Sequence, residues 1–431
     1  MILQTEAIFM ARQFYSLLLL VLAPILLSYL YFIRGKKNLG YRANFTERLG
    51  CGLASLPPHS IVIHCASVGE VLAATPLIKS ILKTRESTPV IITCNTPTGR
   101  AEIVKAFNNI AQVHTCYLPI DFAFATRRFF SILRPQLLIV METELWPNLF
   151  HYAKQSQCKT LVVNARLSEK SYQGYKKHAW LTKGLINNID GLAAHNEEDG
   201  ERFIKLGLVQ SKLHITGSIK FDISITEEEI TKARQFQANY PKRVIWLAGS
   251  THPKEHEQII AAHQRVLKQV SNALLIIAPR HPEQFQAVAD YLSEQEITFT
   301  RKSSDNINTE ASVLLADTLG ELKWLFGSAD IAYIGGSLIE RGGHNPLEAA
   351  AHGVPILTGP HTYNFAHIYP QLIAQQGAIV VDDEDKLAAE IITLFKDKSL
   401  RTQAGANAKS VLVENTGAIA NTMKLINKSL E

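Results

Sequence analysis

Hydrophobic and polar positions divide the chain into three regimes. The first is Phe14 to Ile33, FYSLLLLVLAPILLSYLYFI, an apolar run without a single charge. At about 1.5 Å per helical residue it matches a bilayer core of roughly 30 Å. The run ends in LSYLYFIRGKK with no small-x-small cleavage site and outlasts a signal-peptide core, so the pattern predicts an uncleaved membrane anchor. Arg34, Lys36, Lys37, Arg42 and Arg48 follow it, against Arg12 before it. That asymmetry predicts that the bulk of the protein lies on the cytoplasmic side. Pro24 in the middle and aromatic residues at both ends keep open a helix that lies in the interface.

From residue 60 the pattern changes to short apolar or β-branched runs, SIVIHC, PVIITC, VHTCYLP, QLLIVME, TLVVNA, GLAAHN and LHITG, separated by stretches of helical period. Repeated strand–helix units predict an α/β fold with a parallel, doubly wound sheet. A polar, charge-rich stretch over residues 217–243 interrupts the alternation. It resumes with VIWLAGS, ALLIIAPR, SVLLAD, DIAYIGG, VPILTG and AIVVDD. The expected organisation is an anchor over 1–35, a first Rossmann-like domain over 36–220 and a second over 221–431. Ligands of such sheets sit beyond the carboxyl ends of the strands, so the two domains are expected to face one cleft.

Composition narrows the function. With 431 residues, 46% of them hydrophobic and 19% charged, there is material for two cores. The five cysteines form no C-x-x-C pair, so no zinc site is expected, and no other metal is expected either. A net charge of +5 is a mild excess that suits an acidic substrate or surface, and no nucleic-acid-binding signature accompanies it.

Candidate chemistry gathers where strands hand over to loops. The most informative stretch is Ile334 to Pro360, IGGSLIERGGHNPLEAAAHGVPILTGP. It reads as strand, Gly-rich loop and helix, with Asn345 as cap, Pro346 in the first turn and Gly353 as stop. Free N–H groups at that helix start are expected to face a phosphate, and Glu348 the hydroxyls of a ribose. The same glycines also suit an ordinary crossover with tight turns. ASVGE puts Glu70 at the first turn after a strand, where it suits either the helix dipole or a general base. No G-x-G-x-x-G string is present, which argues against a dinucleotide. METELWPN carries Glu142 and Glu144 two apart, which strand alternation turns to one face. Pairing with Arg166 or Arg100 is the structural alternative for them. Lys220 in GSIKFD and Arg280 in APRHPEQF add cations for an anionic ligand, and GSTHPKEH adds a polar loop.

Taken together these strings resemble the 3-deoxy-D-manno-octulosonic acid (Kdo) transferase family, membrane-anchored enzymes of the two-domain GT-B fold. The likeness covers nearly the whole chain, through YRANFTERLG, ASVGE, ETELWPN, ARLSEKS, GSIKFD, APRHPE, LGEL and GGHNPLEAA in the family's order. It implies an inverting transfer of Kdo from CMP-Kdo to a lipid A precursor (lipid IVA) in lipopolysaccharide core biosynthesis, without a cofactor. It also implies Glu70 as the proton acceptor and Glu142, ahead of Glu144, with Lys220 in transition-state stabilisation. Around CMP it sets Pro279 and Arg280, then Leu319, Gly320 and Glu321, then Asn345, Pro346, Leu347 and Glu348. A transferase using a UDP-sugar, or a membrane-tethered binding protein on the same scaffold, are the alternatives.

Overall fold

Every apolar run between Ile61 and Ile215 forms a strand in the computed structural model, which describes residues 2–431. The strands are β1 (Ile61–Cys65), β2 (Val90–Cys94), β3 (Val113–Tyr117), β4 (Leu137–Met141), β5 (Lys159–Ala165), β6 (Gly191–Ala194) and β7 (Leu213–Ile215). They make one parallel sheet of order β3-β2-β1-β4-β5-β6-β7. Its central strands read as near-continuous apolar runs because both faces are covered. Val62, Leu138 and Val140 join one core with Phe129 and Phe150. Ile61, Ile63 and Ile139 join another with Leu77 and Ile81 of the helix Val68–Thr84.

The second sheet holds β8 (Val244–Thr251), β9 (Ala273–Pro279), β10 (Phe299–Arg301), β11 (Val313–Leu315), β12 (Ile331–Ile334), β13 (Ile356–Thr358) and β14 (Ala378–Val380). Its order is β10-β11-β9-β8-β12-β13-β14, parallel throughout. Six of these were legible as apolar runs. The short edge strand β10 was not, because Thr300 and Arg301 leave it with little hydrophobic signal.

The chain divides into two compact units, and the division departs from the expected ranges at one end. The second unit is Phe221–Asn415, whereas Thr416–Glu431 belongs to the first. The range 221–431 is therefore corrected. The helix Ala418–Leu430 returns because its apolar stripe, Ala418, Met423, Leu425 and Ile426, completes a core of the first unit. Arg85 Nη2 also donates to Asn427 Oδ1 at 3.2 Å.

The anchor stretch is helical from Ile2 to Ser28 and continues as a π-turn over Tyr29–Arg34. It is the one described helix long and apolar enough to cross a membrane, and so it fits a membrane anchor. Contrary to an anchor that is merely tethered, its start is docked on the first unit. Arg12 Nη1 donates to Asn148 Oδ1 at 3.0 Å, and Tyr15 OH donates to Asp121 Oδ2 at 3.1 Å. Its far end is held as well. Arg42 Nε donates to the Tyr31 carbonyl at 3.1 Å, and Tyr31 meets Phe45 edge to face at 5.4 Å. Arg48 then enters the unit, its guanidinium 4.0 Å from the Tyr117 ring centre and its carbonyl accepting from Ile120 N–H.

Candidate functional site

In the first unit the strand-to-helix turn after β1 puts Glu70 in the first turn of Val68–Thr84, capped by Ser67. Its carboxylate accepts the Ala66 N–H at 2.8 Å and the Ser67 hydroxyl at 3.1 Å. Both bonds favour the ionised form. Burial is the larger effect and, with the negative charges of Glu142 and Glu144, pushes the carboxyl up to about 7. A group poised there takes a proton near neutrality.

Alternation does not explain Glu142 and Glu144. β4 ends at Met141, and Glu142 adopts a left-handed conformation, φ +54°, with its N–H on the Val163 carbonyl. The chain therefore turns before Glu144, which accepts Trp146 Nε1–H at 2.9 Å. Glu142 lies 3.5 Å from Arg166 Nε, whereas Arg100 is spent on Glu47 at 2.7 Å. Burial and the neighbouring Glu142 raise the Glu144 carboxyl. Lys220 stands on a short 3-10 turn, Ile219–Phe221, pinned where Ile219 N–H meets the buried Asn164 Oδ1 at 3.1 Å. Burial lowers its ammonium, Glu142 and Glu70 work against that, and Arg166 adds to it. Glu70, Glu142 and Lys220 are thus within one electrostatic neighbourhood, together with Glu144 and Arg166. An acid–base group, further carboxylates and two cations in one place can take up a proton while balancing negative charge on a bound ligand.

In the second unit the Gly-rich loop after β12 is held from within: the N–H groups of Gly336, Ser337 and Leu338 close on Glu255, at 2.8, 3.2 and 3.2 Å. Glu255 is wholly buried and also accepts Tyr333 OH at 2.6 Å and His252 N–H at 3.3 Å. The following helix is one residue out of register with the expectation. It spans Leu347–His352 with Pro346 in the capping position, while Asn345 Oδ1 accepts the Leu347 N–H at 3.1 Å. Gly353, φ +73°, ends it as expected.

What remains open is built from side chains. Glu348 makes no hydrogen bond or ion pair with another described residue, and burial raises its carboxyl against the pull of Lys323 and Arg280. His252, 7% exposed, and His344 stack at 5.1 Å with Nε2 atoms 2.8 Å apart, and His281 lies 5.6 Å from His252. Burial lowers both members of the stacked pair, His344 to about 4, and the positive charge of Arg280 adds to this in each; Arg341 adds to it in His252. The pair packs over Gly336, where a Cβ would lie 3.1 Å from the His344 ring. Pro279 closes β9 and leads Arg280 to the same strand ends. Leu319 is exposed and Gly320 takes φ +81°. Glu321 is occupied by Lys302 Nζ at 2.8 Å; burial would raise its carboxyl, but the hydrogen bonds from Lys302 and Thr318 with the charges of Lys302 and Lys232 together lower it.

Sequence reasoning flagged GSTHPKEH only as a polar loop, and so missed Glu255 and His252. Their partners lie on β12 and its loop, too distant along the chain for spacing to reveal. No group of three or more His, Cys, Asp or Glu among the described residues is arranged to hold a metal ion.

Comparison with known proteins adds a second line of evidence. Residues 43–223 match the family described as 3-Deoxy-D-manno-octulosonic-acid transferase (kdotransferase), and residues 228–411 match glycosyl transferases group 1. The 3-deoxy-D-manno-octulosonic acid transferase of Haemophilus influenzae is 39% identical over 98% of this chain and 99% of its own length. The enzyme of the same description from Bordetella pertussis is 31% identical over 96% of this chain and 98% of its own. Among solved structures, a glycosyltransferase from Rickettsia africae superposes with a TM-score of 0.57 at 13% identity, over 87% of this chain and 99% of that one. A UDP-GlcNAc 2-epimerase from Neisseria meningitidis gives 0.58 at 13% identity, over 86% and 99%. These two share the fold, the two-sheet GT-B type.

Proposed function

We propose that this chain, which belongs to the 3-deoxy-D-manno-octulosonic acid transferase family and is a glycosyltransferase, moves Kdo from CMP-Kdo onto a lipid A precursor by inverting displacement. The observation that carries the reading is the setting of Glu70: a partly buried carboxyl held at about 7 beside Glu142, Glu144 and Lys220. In this mechanism Glu70 takes the proton from the acceptor hydroxyl as the bond to the anomeric carbon forms. Lys220 and Arg166 balance the sugar carboxylate, with Glu142 keeping the two cations in place. Glu70 then returns its proton to solvent.

The donor is assigned to the second unit. Glu348, without a protein partner, is available to the two ribose hydroxyls, and Arg280 with the His252–His344 pair to the phosphate. Pro279, Leu319, Gly320, Glu321, Asn345, Pro346 and Leu347 complete the CMP contacts in this reading, Glu321 chiefly by fixing its loop. No metal is required, because one phosphate and one carboxylate call for a few cations only. The apolar helix and the basic residues behind it support residence at the cytoplasmic face of the inner membrane, where a lipid acceptor is presented.

Product mass spectrometry with the purified protein, CMP-Kdo and the tetra-acylated lipid A precursor tests the reading. An acceptor heavier by Kdo, with CMP released, is expected. Transfer from a UDP-sugar and none from CMP-Kdo would overturn it.

A further inference from the structure

A helix that crosses a bilayer puts its two ends on opposite sides of a core roughly 30 Å thick. The N-terminal helix of this chain is fixed to one unit at both ends. Arg12, Tyr15 and Ser16 reach Asn148 and Asp121, with Asn148 Nδ2 donating to Ser16 Oγ at 3.0 Å. Tyr31 is held by Arg42 and Phe45. Between Ser16 and Tyr31 the helix rises about 22 Å at about 1.5 Å per residue, less than the core it would have to cross. No bilayer fits between tethers that close.

Exposure along the helix shows the same arrangement. Positions 12, 15, 16, 19, 23, 26, 27 and 30 are shielded relative to their neighbours, a stripe with the period of one helix face. Leu17, Val21, Ile25 and Phe32 on the remaining surface stay between 58% and 68% exposed. The polar groups are consumed at the docked start, and Arg34, Lys36 and Lys37 stand exposed at the other end. An apolar outer face with cations at its edge fits one partner, an anionic phospholipid leaflet entered from the side.

We propose that this helix lies in the plane of the membrane interface as part of the first unit, its outer face among the acyl chains of one leaflet, and does not span the bilayer. The inference is independent of which sugar is transferred. It is tested with the full chain, its Cys51 replaced by Ser, carrying single probes at Leu18→Cys, Ile25→Cys or Phe32→Cys and bound to phosphatidylethanolamine–phosphatidylglycerol vesicles. All three positions point away from the unit, so the fold is undisturbed. Depth-dependent quenching is expected to put the three probes at one shallow level, about 5–10 Å into the headgroup–acyl boundary. A probe at Ile25 near the bilayer centre with the other two graded towards opposite leaflets would overturn it. So would a failure to bind the vesicles.

Discussion

Glu255 and Gly336 meet at 2.8 Å, carboxylate to backbone N–H, and that bond is one of three by which a buried acid holds the Gly-rich loop. The loop is set by an internal anion before any ligand arrives. Glu255→Ala would leave three loop N–H groups, the His252 N–H and the Tyr333 hydroxyl without their acceptor. At about 1–3 kcal/mol per orphaned buried donor, partly relieved by water, a loss of at least about 3 kcal/mol in stability is expected. Urea unfolding checks it, and a loss below about 1 kcal/mol would show that the loop holds itself.

Glu70→Gln keeps the shape of the side chain and abolishes its basicity. Turnover is expected to fall about 10²–10⁴-fold, with affinity for CMP-Kdo little changed. In the wild type the rate should rise with pH through about 7, where Glu70 loses its proton, and the variant should lack that limb. Stability runs the other way. A carboxyl raised from 4.5 to about 7 stabilises the fold fully below 4.5, and that contribution is lost as pH rises through about 7. The variant should therefore gain stability relative to wild type across that window. Near-normal turnover in the variant would exclude Glu70 as the base.

Glu348→Ala should act on binding more than on chemistry, because a ribose contact is present in ground and transition states alike. Losing a charged hydrogen bond typically costs about 1.5–3 kcal/mol, which is about a 10- to 150-fold weaker Kd for CMP. Calorimetry decides this; an unchanged Kd removes Glu348 from the nucleotide site.

His344→Gln addresses the stacked pair. If the pair faces the phosphate, CMP should bind about tenfold or more weakly, while cytidine, which has no phosphate, should be unaffected. Equal losses for both ligands would mean that His344 only supports the loop.

The strands were legible because burial on both faces writes them as continuous apolar runs, and all seven of the first sheet can be read off directly. β10 escaped because an edge strand of three residues carries almost no such signal. At the site, local rules succeeded where the interaction is local. Glu70 falls in the first helical turn after β1, and Gly353 ends the helix that carries Glu348. They failed where a distant group decides. Periodicity assumed that β4 continued through Glu142, but a left-handed residue there, with its N–H on Val163, re-aims the chain. The glycines after β12 were read as a loop, and nothing near them in sequence announced that Glu255 holds it.

The return of Ala418–Leu430 to the first unit bears on the order in which the protein is made. Synthesis runs from the N-terminus, so the whole of Phe221–Asn415 leaves the ribosome before the helix that seals the first core. Until then the places of Met423, Leu425 and Ile426 stand vacant beside strands already available to pair. The second unit can close on its own while the chain is still attached. The first must wait for Ala418–Leu430, and a chain ended prematurely at Asn415 would carry a finished second half on an unfinished first.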